Sequence, residues 1–69
     1  MPFIIINKYE INPTMETTNH FEFCSPYDAK YFSVYQRNLD NSLLWMKDFT
    51  SLYGALERIE TLLKNNKES

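Results

Sequence analysis

The sequence predicts a small α+β fold: an antiparallel sheet of three to four strands with one C-terminal amphipathic helix packed on one face. Three observations carry that expectation. Runs rich in β-branched and aromatic residues recur at Pro2–Ile11, His20–Cys24 and Tyr31–Phe49, separated by Asn-Pro and Ser-Pro turns. Leu52, Ala55, Leu56, Ile59, Leu62 and Leu63 then recur at helical spacing. With 69 residues there is material for one core only, residues 1–69 forming a single domain, because so short a chain buries only about 60% of the surface its unfolded form exposes.

The first strand is expected from Pro2 to Ile11, bounded by Asn12-Pro13, with Phe3, Ile5 and Tyr9 on one face and Ile4 and Ile6 on the other. Both faces are apolar at its start, which predicts a place inside the sheet or at an interface. Pro13 to Asn19 reads as a polar loop. His20 to Cys24 reads as a short second strand, Phe21 and Phe23 pointing one way and His20, Glu22 and Cys24 the other.

Tyr31 to Phe49 reads as a hairpin. A three-residue loop of Leu39, Asp40 and Asn41, with Asn41 in the left-handed position usually filled by Gly, fixes the register. It sets Val34 opposite Met46, Tyr35 opposite Trp45, Gln36 opposite Leu44 and Arg37 opposite Leu43. One face then holds Phe32, Val34, Leu44 and Met46, and the other Tyr31, Tyr35, Arg37, Leu43, Trp45 and Lys47. The helix follows from about Ser51 to Lys64, with Thr50 or Ser51 as N-cap, and a polar tail over 64–69 that should fray. Gly54 falls in its first turn, either as a tolerated residue or to admit the close approach of another backbone or a partner.

Composition narrows the function classes. A formal charge of −2 and a pI near 5.2 do not describe the strongly basic body of a nonspecific nucleic-acid binder. The single cysteine, Cys24, rules out an intramolecular disulfide, and the start of the chain lacks the pattern of a signal peptide, so the chain reads as cytoplasmic. No run approaches the roughly 20 apolar residues of a membrane-spanning helix.

Chemistry is sparse. His20, Glu22 and Cys24 alternate on one strand face, but zinc needs three or four ligands and the sequence has no second His or Cys. A thiol nucleophile needs a base and an orienting group, and one His alone does not supply both. Gly54 is the only glycine, so the glycine-rich phosphate loops are excluded. The expectation is a non-enzymatic protein with no cofactor and no metal.

One helix covers one face of a sheet. If it sits on Phe32, Val34, Leu44 and Met46, the face of Tyr31, Tyr35, Arg37, Leu43, Trp45 and Lys47 is left uncovered and is the expected partner-binding surface. Tyr and Trp beside Arg are the residues that protein interfaces enrich at hot spots, so the first expectation is a protein partner, heterologous or a second copy in a homodimer. Aromatics interleaved with Arg37 and Lys47 also suit single-stranded nucleic acid, the second expectation. In a third arrangement the first strand or the Pro13–Asn19 loop folds over this face and makes it core.

The order of short strand, hairpin ending Leu44-Trp45-Met46-Lys47-Asp48-Phe49-Thr50-Ser51, and helix carrying Ala55-Leu56 resembles a layout common among small phage proteins. Some of these, including certain anti-CRISPR proteins, act by occupying a host defence complex. The likeness covers the chain from around Lys30 onward and is one of layout, without a diagnostic motif. It implies stoichiometric binding without catalysis, in the host cytoplasm, and carries over no functional residue. The hairpin-helix part also somewhat resembles HicB-type antitoxins, although the full sheet pattern of that family is not traceable here.

Overall fold

The computed structural model describes residues 3–67. Five strands and one helix follow in the order β1 (Ile4–Ile6), β2 (Tyr9–Glu16), β3 (Phe21–Phe23), β4 (Tyr31–Arg37), β5 (Leu43–Phe49) and α1 (Leu52–Lys67). All pairings are antiparallel, in the order β1-β2-β4-β5, with β3 also paired to β2. The α+β class expected from sequence is the one observed, with one strand more than the four allowed for.

The extra strand comes from the first run. Instead of one strand to Ile11, Asn7-Lys8 makes a tight turn, and Asn7 takes φ 58°, a left-handed conformation that its short polar side chain tolerates. The fold-back pairs Ile4 with Ile11 and Ile6 with Tyr9. Tyr9 therefore shares a face with Ile4 and Ile6, not with Ile5 as a continuous strand requires. The expected interior position passes to β2, whereas β1 is an edge strand whose Ile5 is 61% exposed.

β2 also absorbs most of the segment expected to be a loop. Pro13 lies inside it, opposite Phe32 of β4. A proline lacks the N–H that a central strand donates, so its tolerance here needs a local reason. On its other side β2 pairs with β1 only through Ile11 and with β3 only from Thr14. Pro13 falls in the gap between them, where its carbonyl accepts from the Cys24 N–H at 3.0 Å and no ladder donor is required.

The β4–β5 loop is as expected. Asn38 N–H donates to the Ser42 carbonyl, Asn41 N–H donates to the Asn38 carbonyl, and Asn41 has φ 75°. Arg37, Gln36 and Tyr35 pair with Leu43, Leu44 and Trp45. One step further the register shifts between Val34 and Tyr35, and Val34 faces Lys47 rather than Met46. Met46 is the extra residue of a β-bulge.

Helix α1 lies on the face of Ile4, Ile6, Tyr9, Ile11, Phe32 and Val34. Tyr9, Ile11, Val34, Ala55 and Ile59 are the buried core, and Met46, Phe49, Leu52, Leu56, Leu62 and Leu63 pack around them. Each large side chain fully buried here contributes roughly 1.5–3 kcal/mol, and the small Ala55 at the contact lets the helix approach closely. Leu44, expected in this layer, is 52% exposed because it lies on the edge strand near the hairpin tip. Ser51 is the N-cap: its Oγ accepts from the Gly54 N–H at 3.1 Å. A Cβ on Gly54 would lie 3.2 Å from Cδ1 of Phe49, so the missing side chain admits that ring. The helix continues through Lys67 where a frayed tail was expected from residue 64, and the rest of that tail lies outside the described residues. Among the described residues no helix is long and apolar enough to cross a membrane.

Candidate functional site

The face opposite the helix holds five aromatic rings over a layer of short polar side chains. In β2 the residues pointing this way are Glu10, Asn12, Thr14 and Glu16, paired with Tyr35, Ser33 and Tyr31 of β4 and with Phe23 and Phe21 of β3. Because β2 runs between β3 and β4, the larger rings on its two flanks lean over it. Phe21 stacks on Tyr31 with centroids 5.4 Å apart, and Phe23 meets Tyr35 edge-on at 5.8 Å. Beneath them Asn12, Thr14 and Ser33 are buried. Three of the rings remain open to solvent, Phe21 at 48%, Phe23 at 58% and Trp45 at 55% exposure, while Tyr31 and Tyr35 are half-buried.

Polar bonds fix the poses of two of these rings, Tyr31 and Trp45. Ser33 donates its hydroxyl proton to Oδ1 of Asp48 at 2.5 Å, which leaves Thr14 as the donor in its 2.8 Å contact with Ser33. The same Oδ1 accepts from the Trp45 indole Nε1 at 2.9 Å. The Tyr31 hydroxyl donates to Glu16 at 2.8 Å. That bond and the charge of Glu16 push the Tyr31 phenol pKa up. Burial, with the Asp48 charge acting in the same direction, pushes Tyr35 up.

Arg37 lies on this face, and its donors are committed. Nε and Nη2 reach the two Glu10 oxygens at 2.6 and 3.0 Å, and Nη1 donates to the Asn41 carbonyl at 2.7 Å. The Glu10 side chain is 6% exposed, so this fork neutralises a buried carboxylate, and the same bond raises the guanidinium pKa.

The residues expected here divide accordingly. Tyr31, Tyr35, Arg37, Leu43 and Trp45 do share the open face. Lys47 does not: the bulge places it opposite Val34, on the helix side, with Nζ 5.6 Å from the Phe49 ring centroid. Asp48 arrives in its stead. Alternation along the hairpin gives no sign of Phe21, Phe23, Glu10, Glu16 and Asp48 on this face. The two phenylalanines were legible as a pair on one strand face, but which sheet neighbour they join depends on a long-range pairing. Neither the first strand nor the 13–19 segment covers the face; β3 extends it sideways.

His20 and Glu22 are in contact at 3.3 Å on the surface. Cys24 is half-buried, and burial, then the charge of Asp28, raises its thiol pKa, away from thiolate. On the helix side an open groove of about 330 Å³ beside Ile6, Leu56, Ile59 and Leu63 is apolar, its one ionisable group, Glu60, lying 3.7 Å from Lys64. Comparison with known protein families, curated proteins and solved structures finds no match.

Proposed function

We propose that this chain is a non-enzymatic binding module that docks a protein partner on its open sheet face. The observation that carries the reading is the set of exposed aromatic rings held in fixed positions, above all Trp45, which is half open to water yet hydrogen-bonded to Asp48. Aromatic side chains ordered before contact lose little conformational freedom on binding and contribute large buried areas, the property of interface hot spots. The state of the cations supports a protein over a nucleic acid. Arg37 is engaged with Glu10 and Lys47 faces the other way, so the phosphate-holding groups that single-strand binding requires are not offered here. Stoichiometric occupation of a host complex, the activity implied by the resemblance to small phage inhibitors, is a function that such a face can perform alone.

The test compares capture from host lysate by the immobilised chain and by its Tyr35→Ala/Trp45→Ala variant, both shown to be folded by circular dichroism. A protein retained by the first and lost from the second is expected. Identical capture by both, or capture abolished by nuclease, overturns the reading.

A further inference from the structure

The open face carries more information than its apolar area. Three carboxylates, Glu10, Glu16 and Asp48, lie on it against the single guanidinium of Arg37, which Glu10 already neutralises. Glu16 and Asp48 make only neutral contacts among those described, with the Tyr31 hydroxyl, the Ser33 hydroxyl and the Trp45 indole. Two uncompensated negative charges therefore lie beside the Phe21–Tyr31 pair and beside Trp45.

We propose that the occupant of this face is an arginine-bearing segment of a protein partner, its guanidinium groups lying on the exposed rings of Trp45 and the Phe21–Tyr31 pair with Asp48 and Glu16 at their edges. The inference rests on the binding-module reading and deepens it by naming the partner's chemistry. A guanidinium is planar and weakly hydrated, so it stacks on an aromatic ring while donating in its own plane to a carboxylate. The face supplies both surfaces together. Charge complementarity also selects against other occupants. A second copy would bring Glu16 and Asp48 against an identical acidic face, and a nucleic acid would bring phosphates to it.

The test uses fluorescence anisotropy with a labelled decapeptide of alternating Arg and Gly, at low and physiological salt. Its lysine and glutamate counterparts and an oligothymidine serve as competing probes. The arginine peptide is expected to bind most tightly, to weaken as salt rises, and to quench Trp45 emission. In a Glu16→Gln/Asp48→Asn variant, which keeps hydrogen-bond acceptors while removing charge, affinity should fall by about tenfold. Glu57→Gln/Glu60→Gln, the same charge change on the exposed helix surface, should leave it within about twofold, because screened charges on the far side contribute little.

Equal loss in both variants, equal binding of the glutamate peptide or the oligonucleotide, or no binding of the arginine peptide overturns the inference. So does light scattering that shows a dimer dispersed by Trp45→Ala. If the arginine peptide fails while Tyr35→Ala/Trp45→Ala still abolishes protein capture, the docking face stands and only its proposed occupant is wrong. If that double variant leaves capture intact, the docking reading itself falls.

Discussion

The Trp45 indole donates a 2.9 Å hydrogen bond to Asp48, three residues further along the same strand. Regular strand geometry forbids this contact, because residues three apart point to opposite faces. The bulge at Met46 makes it possible. One extra residue lets Met46 and Lys47 both lie toward the helix side, so that Met46 packs on the core while Asp48 turns to the open face. A local irregularity in the edge strand thus sets the charge of the face, exchanging the expected lysine for an aspartate, and interrupts an edge that would otherwise invite pairing with another strand.

Asp48→Ala should destabilise the fold by about 1–3 kcal/mol, since the fully buried Ser33 hydroxyl loses the carboxylate it donates to. Asp48→Asn, which retains an acceptor, should cost clearly less. Urea unfolding measures the difference. Trp45 emission anisotropy should fall in the alanine variant alone, as the indole loses its anchor; an unchanged anisotropy would show that packing, not the bond, orients the ring.

Arg37→Met should lower the melting temperature by leaving the Glu10 carboxylate buried without its partner. Loss of one partner from a fully buried pair costs more, but the Arg37 side chain is 36% exposed and water can reach the site. Arg37→Lys should recover only part of the loss, because an ammonium cannot make the two-pronged contact. Thermal melts of the three proteins decide this, and equal stability of wild type and Arg37→Met would contradict it.

The contrast between the hairpin and the rest of the sheet shows what the sequence made readable. Asn41 and the alternation of Tyr31–Arg37 against Leu43–Trp45 are local signals, and they set the loop, three cross-strand pairs and the place of Tyr31, Tyr35 and Trp45 on the open face, but not that of Phe21 and Phe23. The leucine stripe likewise announced the helix. Other features depend on contacts distant in sequence. Asn7-Lys8 has no glycine to mark a turn, and it became one because Ile4 and Ile6 find Ile11 and Tyr9. Pro13 reads as a strand breaker until the gap between β1 and β3 is known. The bulge at Met46 carries no Gly or Pro. It follows from satisfying core and open face at once, so regular alternation puts Lys47 on the wrong side and gives no sign of Asp48.

The hairpin loop offers a direct check of that local signal. Asn41 sits at φ 75°, where a β-branched residue pays about 1–2 kcal/mol and glycine pays none. Asn41→Val should therefore lower stability by that amount, and Asn41→Gly should leave it unchanged or slightly raised. The carbonyl that accepts from Arg37 belongs to the backbone and survives both changes. A valine variant as stable as wild type in urea would show that the loop adopts another geometry.

Alkaline titration probes the acidic character of the open face. Tyr31 and Tyr35 both have phenol pKa values raised above 10.0, Tyr31 chiefly by its bond to Glu16 and Tyr35 chiefly by burial, with Asp48 acting on each. The folded state therefore holds these two protons more tightly than the unfolded chain. The associated stability is fully present below pH 10 and is lost as pH rises through the raised folded values. Ring-carbon NMR should give titration midpoints above 10 for both residues. Asp48→Asn should lower both, because it removes a negative charge that opposes phenolate formation, and Glu16→Gln should lower Tyr31 most. If the Asp48 substitution left both midpoints in place, the carboxylate would exert no field across the aromatic layer, and the electrostatic argument for a cationic occupant would lose its footing.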